Sequence, residues 1–312
     1  MKGRVLQPAS ARRLPGEFPP RQRHLVPSAG GRPLTGFART WFWLAAPVLA
    51  TALLYAPIFP RLVYEWTQFS NLSYGFAIPC ISAYLLWVRR ARLLASTPTP
   101  SLLGLPLLVI GLAGLVIGVN GQESFLARIS LPVTLLGLAL FLGGREVFRH
   151  TWMAVAYLAF MIPLPWTTLR VLSYQSRLLD AYVATGALRW LGVQVYRDGF
   201  MLHLPRITLE VADVCSSIPV LAALLALGVA YAAVTQRPIA MKALLVAATI
   251  PLAMLSNIVR ITTTAAGVYY MGVWTLGTVY HQFNGTVNFL LTFVSLLLLD
   301  SLLVRCAGAR VS

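Results

Sequence analysis

Three side chains in the second half of the chain, Cys215, Arg260 and His281, are of the types that catalyse acyl transfer through a thiol. A cysteine thiolate is a strong nucleophile, and a histidine beside it takes the thiol proton and later protonates the leaving group. An arginine supplies fixed positive charge where an oxyanion develops on the attacked carbonyl. Each of the three lies next to an apolar run, so their joint use depends on where those runs place them.

The residues around this trio suit the same chemistry. Cys215 directly precedes an apolar run with Pro219 in its first turn, which predicts the cysteine at the start of a helix. Unpaired N–H groups and the dipole at a helix N-terminus favour a thiolate, and Ser216 is a candidate cap. Asn257 lies one helical turn before Arg260 and is a candidate to orient it. Glu210, in the segment leading to Cys215, completes the supporting set.

Each member of the trio also has a structural interpretation. A lone membrane cysteine is usually a small buried residue, and an arginine at the end of an apolar span extends its charge to the interface. An outward-facing histidine often makes a structural hydrogen bond. The argument for catalysis is that all three are predicted at one membrane depth.

Composition indicates an integral membrane protein. Of 312 residues, 58% are hydrophobic and 11% are charged, whereas a soluble domain carries about 25% charged residues. The apolar residues form runs of about 15–20, the length that crosses a bilayer core of about 30 Å. Eight spans are predicted, at Trp41–Phe59, Tyr74–Val88, Ser101–Val119, Ile129–Leu142, Thr151–Trp166, Ser216–Val234, Ala243–Val259 and Gly285–Val304.

The distribution of charge predicts the orientation. With the N-terminus inside, the short inner loops, such as 89–100 and 143–150, are almost purely basic, as the positive-inside rule expects. The net charge of +16 then needs no nucleic-acid partner. An even number of spans places both termini in the cytoplasm. Residues 1–40 are predicted to be a disordered basic tail, 41–305 the transmembrane domain and 306–312 a short cytoplasmic tail.

The long segment 167–214 is predicted on the outer side. Apolar residues recur at helical spacing over Thr168–Leu191, with arginines between them, which predicts an amphipathic helix at the membrane surface. Two β-rich stretches around Asp198-Gly199 predict a hairpin, and a third extended stretch, Ile207–Val211, leads towards Cys215. The predicted fold is an all-α polytopic membrane protein with about eight transmembrane helices and a small extracytoplasmic insertion of one amphipathic helix and a β-hairpin.

The remaining cysteines and the acidic residues predict no metal site. Cys80 and Cys306 lie inside or at the end of apolar spans, as small buried hydrophobes do. The three cysteines have no metal-ligand spacing and no CxxC pair. We therefore expect no metal and no cofactor.

Five further segments occur in a fixed order along the chain, at Asn71–Pro79, Phe160–Pro165, Leu209–Ile218, Asn257–Ile261 and His281–Phe289. In that order they resemble the exosortase/archaeosortase family of membrane transpeptidases, over roughly residues 41–305. The resemblance implies a Cys-Arg-His triad at Cys215, Arg260 and His281. Two positions depart from the family pattern and bear on the substrate subclass: Ser217 stands where the family usually has glycine, and Tyr74 where it usually has histidine.

The resemblance also implies a substrate. Family members are thought to cut the C-terminal sorting signals of secreted proteins. Such a signal has a short motif (Pro-Glu-Pro in the best known class), one transmembrane helix and a basic tail. The expected partners are such secreted proteins, membrane lipid and an unknown amine acceptor, and the expected location is a bacterial inner membrane.

We therefore expect a membrane-embedded thiol peptidase or transpeptidase that cleaves PEP-CTERM-like signals at the extracytoplasmic face. Its Cys215 thioester would be resolved by an amine, which gives transfer, or by water, which gives hydrolysis. One alternative is a non-catalytic transporter or assembly factor for surface polysaccharide, although the middle of each span carries almost no charge for ion coupling. Another is a polyprenyl-linked transferase, which would normally need acidic residues for a divalent metal.

Overall fold

The computed structural model describes residues 46–211 and 217–308. Cys215, Ser216 and the predicted tail 1–40 lie outside these ranges, as do the last four residues of the chain. The described chain is mostly helical and contains one small sheet. Its helices are α1 (Ala46–Gln68), α2 (Ala77–Val88), α3 (Arg90–Ala95), α4 (Gly104–Asn120), α5 (Ser124–Tyr157), α6 (Trp166–Trp190), α7 (Ser217–Val234), α8 (Ile239–Met271) and α9 (Thr278–Gly308).

Three short 3-10 segments connect these helices, at Ser70–Phe76, Leu158–Met161 and Val273–Leu276, and a further 3-10 turn interrupts α1 at Ala56–Ile58. The strands are β1 (Tyr196–Asp198), β2 (Met201–His203) and β3 (Thr208–Glu210). They form one antiparallel sheet in the order β1-β2-β3. Gly199, in the left-handed region at φ 59°, makes the turn between β1 and β2, which confirms the predicted hairpin.

In the described chain, five helical segments are long and apolar enough to cross a bilayer: Ala46–Gln68, Ser124–Met161, Ser217–Val234, Ile239–Met271 and Phe283–Arg305. Two shorter apolar helices, Leu72–Val88 and Gly104–Asn120, accompany them. The protein is therefore an integral multi-pass membrane protein. The predicted number of eight spans is not confirmed.

The predicted fourth and fifth spans differ most from the structure. The fourth and the first part of the fifth fall on α5, and residues 145–150, predicted as part of an inner loop, are helical. The helix is instead broken at one residue, Gly144, whose φ of 69° lies where only glycine is unstrained. A Cβ there would overlap the carbonyl oxygen of Thr99. The helical segment also ends at Met161, because Pro163 and Pro165 follow and cannot continue it.

Small residues let α4 and α5 pack closely. Gly104, Gly111 and Gly118 recur every seven residues along α4 and meet the backbone of α5 at Phe141, Thr134 and Ala127. A Cβ at any of these glycines would overlap α5. Contacts of this kind are common between helices in lipid, where close packing replaces the hydrophobic effect.

Helix α5 is also bound to α1 by polar contacts. The guanidinium of Arg128, which is 5% exposed, donates two hydrogen bonds of 2.7 and 2.8 Å to the carboxylate of Glu65. The hydroxyl of Tyr55 hydrogen-bonds Ser130 and Thr134 of α5. A buried arginine is tolerated because both ends of its fork are paired.

Helix α8 extends well beyond the predicted seventh span. The span was predicted to end at Val259, whereas α8 continues to Met271. Its 33 residues give a length of about 50 Å, more than a bilayer core of about 30 Å. Arg260 therefore lies inside a long helix and not at its end.

The C-terminal parts of α6 and α8 and the sheet share one apolar core. Ala181, Ala184 and Leu188 of α6 are fully buried against Ile261 and Ala265 of α8. Leu202 and Val211 of the sheet region complete the cluster. The amphipathic helix is thus confirmed as a helix, but most residues of its buried face are small or polar, while Leu172, Leu179, Tyr182 and Val183 are exposed.

Candidate active site

The predicted site residues fall on four parts of the fold. Arg260 and Asn257 lie on α8, half-buried and fully buried respectively. His281 is in the first turn of α9 by its backbone, where the sequence predicted a loop before the last span. Glu210 ends β3 and is exposed. Cys215 and Ser216 are outside the described residues, but α7 begins at Ser217, two positions after the cysteine, close to the predicted helix start.

The side chain of Arg260 lies against α9. A Cβ at Gly285 would be 3.8 Å from Nε and 3.9 Å from Cζ of Arg260. The guanidinium therefore lies at van der Waals distance from this point of α9. Gly285 and His281 are four residues apart in α9, and positions with this spacing share one face of a helix. The backbone position of His281 therefore lies one helical turn from the residue that the Arg260 side chain contacts.

Two asparagines of α9 take part in the hydrogen bonds that hold α9 against α8. The Asn284 Nδ2 atom donates to Thr264 Oγ1 at 2.9 Å and to the carbonyl oxygen of Arg260 at 3.5 Å. Asn288 Nδ2 donates to Asn284 Oδ1 at 2.6 Å, and Ser256 Oγ donates to the carbonyl of Asn288 at 3.4 Å. These bonds start at the turn that carries Arg260 and so fix its position relative to α9.

A buried acidic side chain, Asp180, connects three helices next to Arg260. Asp180 of α6 is fully buried, and its Oδ2 atom accepts from the backbone N–H of Ser217 at 3.1 Å and from Asn257 Nδ2 at 2.9 Å. The hydroxyl of Ser217 also hydrogen-bonds Asp180. One side chain thus connects α6, the start of α7 and the turn of α8 that precedes Arg260. Ser217 supplies a hydroxyl that a glycine at this position would lack.

Burial raises the pKa of Asp180, against the hydrogen bonds from Asn257 and Ser217 that lower it. Its Oδ1 atom is buried without a hydrogen-bond partner among the described residues, so nothing offsets the cost of burying this oxygen when the carboxyl is charged. Asp180 therefore supports the start of α7 through Oδ2 alone.

Asp180→Asn is expected to lower kcat about tenfold with little change in KM. The amide oxygen replaces Oδ2, but the amide NH2 replaces Oδ1 and becomes a buried donor, at a cost of about 1–3 kcal/mol. Stability should also lose part of its pH dependence. Because the pKa of Asp180 is raised, the wild type loses stability as pH rises from the usual carboxyl range through that raised value, and the variant does not.

Steady-state turnover and thermal unfolding in detergent at several pH values measure both effects. Asp198→Asn, an exposed acid in β1, is the matched control and should change neither. An Asp180→Asn protein with wild-type kcat would show that this contact does not position the site.

A pocket opens beside Arg260, between the sheet and α8. Its volume is about 110 Å³, enough for a small side chain of a peptide. Except for Arg260, Glu210 and Thr264 its walls are apolar, and Leu276 of the 3-10 segment after α8 covers one side. The lining residues are Leu202, Leu209, Glu210, Val211, Arg260, Ile261, Thr264, Ala265 and Leu276. Val211, which lines the pocket, precedes the predicted nucleophile Cys215 by four residues in the sequence.

Sequence analysis missed Asp180 and Asn284 as contributors to the site. Asp180 lies in the segment predicted on the outer side, where an acid is not unusual. The available signal was its place among Ser173, Arg177, Ala184 and Leu188, which recur every three or four residues and form the buried face of α6. An acid on a buried face needs donors from a neighbouring element. Asn284 lies within the segment His281–Phe289, and no local pattern distinguishes it from its neighbours.

Two of the five segments that carry the family resemblance, Asn71–Pro79 and Phe160–Pro165, meet around Trp66 of α1. Trp66 Nε1 donates to the carbonyl of Met161 at 3.0 Å, and a Cβ at Gly75 would overlap its indole ring. The segments Asn71–Pro79 and Phe160–Pro165 therefore pack against one tryptophan. The 3-10 segment Ser70–Phe76 also contacts α7, which begins next to Cys215.

Comparison with known proteins identifies one family. The sequence pattern of the family described as transmembrane exosortase (Exosortase_EpsH) matches residues 66–298. This range includes all five segments named above. Neither the comparison with curated proteins nor the comparison with solved structures gives a match.

Proposed function

The chain belongs to the transmembrane exosortase family, and from this premise we propose that it is a membrane-embedded cysteine peptidase or transpeptidase with Cys215 as its nucleophile. Arg260 stabilises the transition state, and His281 is the general acid and base. Asn257, Ser216 and Glu210 support them, and Asp180 positions the start of α7.

One observation carries the assignment of the site. The Arg260 guanidinium lies against α9 one turn from His281 and at the same time lines a pocket next to the strand that leads to Cys215. This placement of a cation supports a role for Arg260 in stabilising an oxyanion on a peptide bound in the pocket.

The proposed reaction has two acyl-transfer steps. His281 takes the proton of the Cys215 thiol, and the thiolate attacks the scissile carbonyl carbon. Arg260 stabilises the negative oxygen of the tetrahedral intermediate. The C–N bond then breaks, the leaving amine takes the proton from His281, and the acyl group remains on Cys215 as a thioester. An amine acceptor or water attacks the thioester and restores the thiol.

The proposed substrates are secreted proteins that carry a C-terminal sorting signal of the PEP-CTERM type. The helix of the signal docks laterally among the apolar helices, and its motif reaches the pocket at the outer surface. The basic tail of the signal stays in the cytoplasm, as do both termini of this chain, with residues 1–40 as a basic tail. The host membrane in this proposal is a bacterial inner membrane.

The test is a tagged secreted protein that ends in a Pro-Glu-Pro motif, an apolar helix and a basic tail, expressed with the wild-type chain. We expect the protein to lose its helix and tail, and mass spectrometry of its new C-terminus should locate the cut at or near the motif. Added hydroxylamine should give a C-terminal hydroxamate, because it attacks thioesters. A matched protein with the motif scrambled should stay intact.

The contrary result is an intact tagged protein with both proteins present in the membrane and several signal classes tried. That outcome would favour a non-catalytic role, such as transport or assembly of surface polysaccharide.

A further inference from the structure

The strand β3 has one edge that no other described strand covers. It is the last strand of the sheet, paired on one side with β2. Leu204 and Ile207 exchange backbone hydrogen bonds in both directions, and the N–H of Val211 donates to Phe200. Because hydrogen-bonded pairs alternate in an antiparallel ladder, Ile207, Leu209 and Val211 point their main-chain groups at β2.

The two residues between them point the other way. The N–H and C=O groups of Thr208 and Glu210 face away from β2, along the outer edge of β3. Both residues are exposed. An edge with main-chain groups so presented is a ready template for another extended chain.

The opposite edge of the sheet differs. Helix α6 lies beside β1, where Arg189 of α6 donates to the carbonyl oxygen of Val195 at 3.5 Å. The Arg197 guanidinium of β1 lies over the ring of Tyr182 of α6, 5.5 Å from its centre. Of the two edges, only that of β3 has the pocket beside it and Cys215 a few residues further along the chain.

We propose that the substrate segment at the scissile bond docks in extended form on the outer edge of β3, as a fourth strand of the sheet. This inference rests on the proposed function and adds how the substrate is held. Strand addition supplies affinity through main-chain hydrogen bonds, here with Thr208 and Glu210, and pockets for alternate side chains supply the specificity. In sequence, Cys215 follows Glu210, the last residue of β3, by five positions.

The pocket beside Arg260 fits this arrangement. Successive side chains of a strand point to opposite faces of a sheet. The pocket lies on the face that carries Leu202 and Leu209, which are paired across β2 and β3. Every second side chain of the docked segment therefore faces the pocket and should be small and apolar, and the carbonyls between them pass close to Arg260.

Photo-cross-linking tests the docking without requiring cleavage. The chain carries Cys215→Ala together with p-benzoylphenylalanine at position 208, or at position 196 of β1 as the matched exposed control. The probe is the tagged secreted protein with the Pro-Glu-Pro signal. We expect a cross-link from position 208 that maps to the segment at the motif, and at least a tenfold weaker one from position 196.

A second pair of variants tests main-chain pairing itself. Thr208→Pro removes the N–H that faces the outer edge and takes no hydrogen bond from β2. Thr208→Val keeps this N–H and changes only the hydroxyl. We expect the proline variant to raise the KM of cleavage about fivefold or more, the effect of one lost hydrogen bond, and the valine variant to stay within twofold of wild type.

The outcomes separate the two proposals. Cleavage of the tagged protein together with equal or absent cross-links from position 208, or with equal KM for the two Thr208 variants at equal membrane abundance, overturns strand docking and leaves the peptidase standing. A selective cross-link from position 208 without any cleavage supports docking and contradicts the peptidase. Absence of both cleavage and cross-links contradicts both.

Discussion

Cys215→Ala is expected to abolish processing of the tagged secreted protein, with a loss of at least about a thousandfold. Without the thiol no thioester forms, and neither Arg260 nor His281 replaces a nucleophile. Membrane abundance should be unchanged, because a change from thiol to methyl at one residue removes little packing. The measurement is the rate at which the full-length tagged protein disappears on gels and by mass.

The chain supplies a matched control for this variant. Cys80 is an exposed free thiol on α2 and not the buried residue that the sequence predicted, and Cys80→Ala should process at the wild-type rate. Cys215→Ser is a second comparison: its hydroxyl ionises far less readily than a thiol, so we expect nearly complete loss. Processing by Cys215→Ala at more than a few per cent of the wild-type rate would remove Cys215 from the proposed mechanism.

Arg260→Gln is expected to lower kcat by about a hundredfold to a thousandfold, the range found when an oxyanion donor is removed. Glutamine keeps a hydrogen-bond donor of shorter reach but loses the positive charge. Arg260→Lys restores the charge without the planar fork, so we expect it to recover part of the loss. Helix α8 should form in both variants, because the Asn284 contact there uses the backbone carbonyl of Arg260.

The division between kcat and KM distinguishes this role from a structural one. An interaction made only in the transition state lowers kcat and kcat/KM equally. Arg170→Gln, which removes an exposed cation from α6, should leave both parameters within twofold of wild type. A pure KM effect for Arg260→Gln would assign the arginine to substrate binding.

The sequence predicted correctly those turns and strands that depend only on the residues within them. The turn at Asp198-Gly199 and the three extended stretches needed only local signals, and the sheet has them. The membrane class followed from composition. The local pattern gave the wrong helix end where tertiary packing decides the length of the helix. Arg260 interrupts an apolar run and so predicted a helix end, but the run continues as Ile261, Ala265 and Val268 against the core of α6 and the sheet.

The break in α5 has a similar explanation. A cluster of Gly143, Gly144 and Arg145 reads as a loop because glycine and charge are typical of loops. The structure uses a single glycine with positive φ where α5 approaches the backbone of Thr99. That approach depends on a tertiary contact with a segment more than forty residues earlier, which no local pattern encodes.

The roles of the polar residues around Cys215, Arg260 and His281 could not be predicted from the sequence, because they also depend on tertiary contacts. Asp180 is 37 residues from Ser217 and 77 from Asn257, so its role depends on how α6 packs against α7 and α8. The closeness of Gly285 to Arg260 likewise appears only once α8 and α9 are side by side. The sequence predicted which residue types do the chemistry, and the packing supplies the groups that hold them.

The most direct test of the central claim is the mass of the protein itself during turnover. The wild-type chain is mixed with the tagged secreted protein, quenched in acid, which preserves thioesters, and digested for mass spectrometry. The account predicts a peptide containing Cys215 that carries the C-terminal residues of the cleaved protein and loses them on treatment with hydroxylamine. Cleavage of the tagged protein with an unmodified Cys215 peptide at every time point, and with the acyl group on another residue or on none, would contradict it.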